Sequence, residues 1–143
     1  MSAAPTSTPK NIGITLIRVV IGVVFLLHGW QKYSQFTIAG TQASFAEMGI
    51  PAADIVAPIL IVLEIAGGAA LILGLLTRPF ALLLALTSVG ALVTVHLSAG
   101  FFSSNGGYEY VLVLAAAALA VALIGPGRFS VDRTFRGKLS LLH

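Results

Sequence analysis

The chain has 143 residues, of which 57% are hydrophobic and only 9% are charged, and its mean hydropathy is +1.00. A soluble domain of this length cannot bury so many apolar side chains, so the composition indicates an integral membrane protein. The formal charge of +3 is small, and most basic residues flank apolar segments, which argues against nucleic-acid binding. Because cysteine is absent, disulfides, thiolate metal sites and dithiol chemistry within the chain are excluded.

Hydropathy predicts an all-α membrane protein built as an antiparallel bundle of four transmembrane helices. Residues 1–10, rich in Pro, Ser and Thr, are expected to form a disordered tail. Within a transmembrane domain at 11–127, helices are predicted at about 12–30, 56–76, 80–99 and 108–124, because a hydrocarbon core of about 30 Å requires about 20 apolar residues. The long connection after the first helix contains a predicted short amphipathic helix at 41–48, which Gly49 and Pro51 should end.

The basic residues predict the orientation. Lys10, Arg78 and a basic tail at 128–143 belong to one side of the bundle, whereas the long connection carries only Lys32 against two acidic residues. The positive side of a membrane protein faces the cytoplasm, so both termini are expected there and the protein is expected in the plasma membrane. The basic tail is predicted to follow the membrane surface.

Polar residues share one face of the first helix. Helical spacing aligns Arg18, Gly22, Phe25, Gly29 and Lys32. This stripe should face the bundle interior, since polar groups at membrane depth avoid lipid. Arg18 is expected to reach the cytoplasmic interface or a lipid phosphate, with an ion pair to Glu64 as the less favoured alternative. Arg18 and Lys32 are therefore assigned lipid or structural roles.

Four residues are candidates for a ligand site: His28, Glu64, His96 and Glu109. A rise of about 1.5 Å per residue places them roughly 18 to 25 Å from the cytoplasmic end of the bundle, in its outer half. Side chains lean toward the N-terminus of their own helix. Because the four residues come from helices that run in opposite directions, their side chains should lean toward the same level. The alternatives are an interfacial His28, a structural Glu64, and solvated His96 and Glu109.

If these four side chains meet, two kinds of chemistry fit them. Two imidazoles and two carboxylates match a mixed-ligand site for zinc or non-haem iron, although no local spacing forms a metal motif. Alternatively, a histidine and a glutamate can bind and protonate the oxygens of a quinone that enters from the lipid. The sequence contains no flavin, haem or phosphate-loop motif, so a redox partner protein would have to supply electrons.

The same residues carry a family resemblance. From about Arg18 to Asp132 the chain resembles the DoxX family in HGWQK at 28–32, MGIP at 48–51, EIAGG at 64–68, LGLLTRP at 73–79, His96, GGYEY at 106–110 and GPGRFSVD at 125–132. The resemblance implies four membrane helices with both termini in the cytoplasm. It also implies a link to quinone chemistry or oxidative-stress defence, since some relatives are membrane subunits of quinone oxidoreductases.

Two hypotheses of function follow. The first is a membrane component of quinone-linked redox chemistry or oxidative-stress defence, with His28, Glu64 and His96 around the quinone headgroup. The second is a non-catalytic membrane anchor or assembly scaffold for a redox complex, which would use the basic tail and the outer loop as docking surfaces. A transporter is less favoured, because no acidic relay crosses the inner half of the bundle.

Overall fold

A computed structural model describes residues 7–135, and every regular element in that range is helical. The elements are α1 (Thr8–Ser34), α2 (Ile38–Glu47), α3 (Ala53–Leu73), α4 (Thr77–Ala91), α5 (Glu109–Ile124) and α6 (Val131–Thr134). A π-helical turn at Leu92–His96 and a 3₁₀ turn at Leu97–Ala99 extend α4. The segments Thr8–Ser34, Ala53–Leu73 and Thr77–Ala99 are long and apolar enough to cross a membrane, whereas α5 is shorter. The all-α prediction is thereby confirmed.

The helix ends differ from the predicted ones by a few residues. Helix α1 begins at Thr8, so residues 8–10 of the predicted tail are helical, and a proline occupies the first turn, where its missing N–H is not needed. The remaining tail residues 1–6, and residues 136–143 at the other end, lie outside the described part of the chain. A helix is present in the predicted region as α2, which begins at Ile38 because the Thr37 hydroxyl accepts a hydrogen bond from the Gly40 N–H.

Helix α3 begins at Ala53, three residues before the predicted start, which places Pro58 within the helix. A proline at this position has no N–H to donate to the carbonyl four residues earlier, that of Asp54. The side-chain amide of Gln42 in α2 donates to this carbonyl over 2.9 Å. The contact satisfies the carbonyl and also docks α2 against the start of α3.

Helices α1 and α3 run antiparallel and approach closely through glycines. A Cβ atom on Gly22 would lie 2.8 Å from the Gly68 carbonyl, and one on Gly29 would lie 2.8 Å from the Glu64 Cβ. Small residues permit such approaches between membrane helices, where van der Waals packing replaces the hydrophobic effect. The predicted stripe of α1 is buried from Arg18 to Gly29, as is the α3 face that carries Glu64. Helix α4 packs mainly on α5.

One end of the bundle, which we call the arginine end, is held together by Arg18, Arg78 and Asp132. The Arg18 guanidinium donates to the Pro126 and Phe129 carbonyls, and Arg78 donates to the last carbonyls of α5, including that of Leu123 at 3.1 Å. The Asp132 carboxylate accepts from the backbone N–H groups of Leu76 and Thr77, at 2.7 and 2.9 Å. It thereby caps the start of α4.

The described part of the predicted basic tail therefore belongs to the fold. The Asp132 N–H donates to the Gly74 carbonyl over 2.9 Å, and the Arg128 N–H donates to the Asn11 side chain over 3.0 Å. Gly74 has a φ of +70° and lies so close to Ser130 that an added Cβ would collide with it. Deleting residues 128–143 would remove these contacts as well as any docking surface for a partner. Such a deletion therefore cannot by itself test the scaffold hypothesis.

Candidate functional site

A cavity of about 560 Å³ lies at the opposite end of the bundle from Arg18. Residues of α1, α2, α3, α4 and α5 line it, and its wall is mainly apolar, with Phe25, Met48, Leu60, Val95 and Leu114 among the lining side chains. Three of the four predicted site residues also line it, namely His28, Glu64 and His96. Ligand pockets usually combine such an apolar wall with a few convergent polar groups, at volumes of about 300–1,000 Å³. This cavity is the candidate functional site.

An ion pair forms one polar part of the cavity wall. The Lys32 ammonium lies 2.7 Å from Oε2 of Glu64, and both side chains are largely shielded. The close packing of Gly29 on Glu64 brings the last turns of α1 next to this carboxylate. Lys32 was predicted to make lipid or structural contacts, but the structure places it at the cavity with Glu64. Helical periodicity had aligned Lys32 with the inward-facing stripe of α1, and that signal was sufficient to identify it as a residue of the bundle interior.

Two rings form a second polar part of the wall. His28 in α1 and Tyr110 in α5 have ring centroids 6.2 Å apart with an interplanar angle of 32°. His28 is itself exposed and also borders a shallow groove with Trp30 and Gln31. The histidine thus lies where the cavity meets the outer surface of the bundle. Tyr110 was not among the predicted site residues, although it lies next to one of them, Glu109.

The π-helical turn positions the third predicted residue, His96. The N–H of Leu97 bonds to the carbonyl of Leu92, which is the five-residue spacing that defines this turn. Nδ1 of His96 lies 2.7 Å from the carbonyl oxygen of Gly106, in the loop before α5. Single π-helical turns inside longer helices occur often at functional sites.

Glu109, the fourth predicted residue, is not at the cavity. Its Oε1 accepts from the Ser103 N–H at 2.8 Å and from the Ser103 hydroxyl at 2.7 Å. The loop folds back on the start of α5, because the Glu109 N–H donates to the Phe101 carbonyl over 2.8 Å. The carboxylate therefore orders the 3₁₀ turn at Ser103–Asn105. Within residues 7–135 the structure brings together no three His, Asp or Glu side chains that could hold a metal ion.

Arg18 lies at the end of the bundle that was predicted to face the cytoplasm, and it is not paired with Glu64. Only 2% of its surface is exposed, and its guanidinium contacts the Pro126 and Phe129 carbonyls at the arginine end. Its position is unsuited to a lipid phosphate, since the side chain is covered by protein. Glu64 pairs with Lys32 instead. Arg18 thus makes structural contacts, which is one of the two roles predicted for it.

Known proteins of similar sequence include membrane proteins, in agreement with the long apolar helices of the fold. The DoxX family profile matches residues 13–97. CatD of Bacillus subtilis strain 168, which has a provisional oxidoreductase name, is 36% identical over 90% of this chain and 91% of its own length. The membrane protein Rv3486 of Mycobacterium tuberculosis is 37% identical over 92% of this chain and 90% of its own, and the inner membrane protein YqjF of Escherichia coli K12 is 31% identical over 90% and 96%. No solved structure matches the chain. The chain is a membrane protein of the DoxX family.

Proposed function

We propose that the chain crosses the plasma membrane four times, with both termini in the cytoplasm. Lys10, Arg78 and Arg128 belong to the arginine end of the bundle, which fits the excess of basic residues found on the cytoplasmic side of membrane proteins. Helix α5 has 16 residues and is about 24 Å long, so it requires the adjoining loops or a locally thin bilayer to complete a fourth span. In this orientation the cavity lies in the outer half of the membrane.

We further propose that the cavity binds the headgroup of a quinone, and that the protein is a membrane component of quinone-linked redox chemistry or oxidative-stress defence. The observation that carries this proposal is the meeting of His28, Glu64 and His96 at one apolar cavity. An apolar wall suits the ring of a lipid-soluble quinone, and the polar groups suit its two oxygens. The oxidoreductase name of CatD supports the same class of function.

In the proposed site, the polar side chains bind the quinone oxygens and manage their protons. The Lys32 ammonium has hydrogens left to donate beyond its bond to Glu64, and a glutamate beside it is placed to receive a proton from a reduced ring. His28, at the rim, adds a second group that can either donate or accept. Electrons come from a partner protein, since the chain contains no cysteine and no motif for flavin or haem.

Replacing Glu64 tests this proposal. In full-length protein reconstituted in nanodiscs, Glu64→Ala is expected to weaken menaquinone binding roughly tenfold or more, because Lys32, the donor to a quinone carbonyl, loses the carboxylate that holds its ammonium at the cavity. Titration of bound against free quinone gives the affinity. Glu47→Ala is the matched control, since Glu47 is an exposed carboxylate on α2 that does not line the cavity. Equal affinities for the wild type and Glu64→Ala would contradict the proposal.

A further inference from the structure

The contact of His96 with Gly106 fixes which of its ring nitrogens donates a hydrogen bond and which can accept one. A backbone carbonyl oxygen can only accept a hydrogen bond, so Nδ1 of His96, 2.7 Å away, carries the hydrogen. In the neutral imidazole the other nitrogen, Nε2, is then an acceptor. No residue within 7–135 hydrogen-bonds to Nε2, so this acceptor is left for a ligand of the cavity that His96 lines.

The ion pair, the hydroxyls of α4 and its π-helical turn, and His28 do not fix whether a ligand oxygen must donate or accept. Lys32 only donates and the Glu64 carboxylate only accepts, but because the two lie 2.7 Å apart, together they can serve either kind of ligand oxygen. The hydroxyls of Thr87, Ser88 and Thr94 donate to carbonyls of their own helix. His28 has no described contact that selects one tautomer, so it can adapt to the ligand.

From this asymmetry we propose that the cavity selects the reduced, hydroquinone form of its ligand over the quinone form, and that His96 is the residue that determines the selection. The proposal rests on the quinone-binding function proposed above. A hydroquinone hydroxyl donates to Nε2 of His96, whereas a quinone carbonyl facing the same nitrogen would place two acceptors against each other. At the opposite oxygen, Lys32 and Glu64 accommodate both forms.

The selection is tested by comparing the two redox forms of one ligand. Full-length protein in nanodiscs is titrated without oxygen, at pH 8, with a short-chain naphthoquinone and with the same compound reduced by dithionite. The absence of cysteine removes the side chain that quinones alkylate most readily. The wild type is expected to bind the hydroquinone about tenfold more tightly, the difference expected from one hydrogen bond made in place of one repulsive contact. Equal affinities, or tighter binding of the quinone, would overturn the proposal.

Two variants show whether His96 is responsible. His96→Phe should bind both forms alike, while His28→Phe should bind both more weakly and keep their ratio, because His28 has no fixed polarity. A preference that survives in His96→Phe would overturn the assignment. Failure of the wild type to bind either form would instead contradict the quinone-binding function itself, so the two proposals fail in different ways.

A spectroscopic readout keeps the test independent of whether the variants fold. The sequence has three histidines, which makes ¹⁵N-histidine labelling of the wild type interpretable. Addition of the hydroquinone should shift the Nε2 resonance of His96 as it accepts a hydrogen bond, and addition of the quinone should leave that resonance nearly unchanged. An unchanged Nε2 resonance at saturating hydroquinone would contradict the proposed contact.

Discussion

Arg18→Met is expected to lower the free energy of unfolding by about 3 kcal/mol or more, because it removes two charge-assisted hydrogen bonds of about 1.5–3 kcal/mol each. Arg18 is 2% exposed, and its guanidinium donates to the carbonyls of Pro126 and Phe129, which links α1 to the segment after α5. Methionine retains the volume but leaves both carbonyls without this donor. Unfolding of the purified protein by a denaturing detergent, followed by circular dichroism, measures the change.

Arg128→Met is the matched control for that experiment. Arg128 lies in the same segment, but it is exposed, and its described contact to Asn11 is made by the backbone N–H. Its replacement should change the free energy of unfolding by about 0.5 kcal/mol or less, as is usual for surface substitutions. If both variants unfold alike, Arg18 does not hold the arginine end together.

Gly68→Ala is expected to destabilise the bundle by about 2–3 kcal/mol through overpacking. An added Cβ at Gly68 would lie 2.5 Å from the backbone nitrogen of Leu26 and 2.6 Å from the carbonyl oxygen of Gly22. Backbone atoms cannot rotate away as side chains do, so α1 and α3 would have to separate. The same unfolding measurement detects the loss of stability. Weaker binding of the quinone should accompany it, because Lys32 on α1 and Glu64 on α3 lie on opposite sides of this helix contact.

Gly13→Ala provides the comparison for glycine replacement within a helix. An added Cβ at Gly13 meets no atom within 4 Å, although the residue lies in α1 like Gly22. Alanine should therefore be tolerated and should slightly favour the helix, by up to about 1 kcal/mol. Similar destabilisation by both substitutions would show that the close approach of α1 and α3 does not limit stability.

Much of the fold could be predicted because membrane helices leave a strong pattern in the sequence. Apolar length identified the helical segments, and the spacing of Arg18, Gly22 and Gly29 identified the buried face of α1. The helix ends were harder to predict, since they depend on single contacts. Helix α2 begins where the Thr37 hydroxyl caps it, and α3 continues around Pro58 because Gln42 supplies a hydrogen bond from another element.

The candidate site could be predicted only in part, for a similar reason. Depth along straight helices predicted His28, Glu64 and His96 at one level, and all three line the cavity. The same arithmetic placed Glu109 there too, but it could not include the loop that folds back so that Ser103 binds this carboxylate. A π-helical turn has no simple sequence signature, so the anchoring of His96 by Gly106 was also outside what periodicity could show.

Photoaffinity labelling with an azido-quinone in nanodiscs, followed by peptide mapping, tests the central claim that the cavity binds a quinone. The predicted result is labelling of cavity segments on three helices, around His28–Lys32, Thr87–His96 and Tyr110–Leu114, that excess unlabelled quinone suppresses. Labelling confined to outward-facing residues such as Ile59, Val62 and Leu123, with no suppression by competitor, would show that the quinone merely dissolves in the surrounding lipid and would contradict the proposed site.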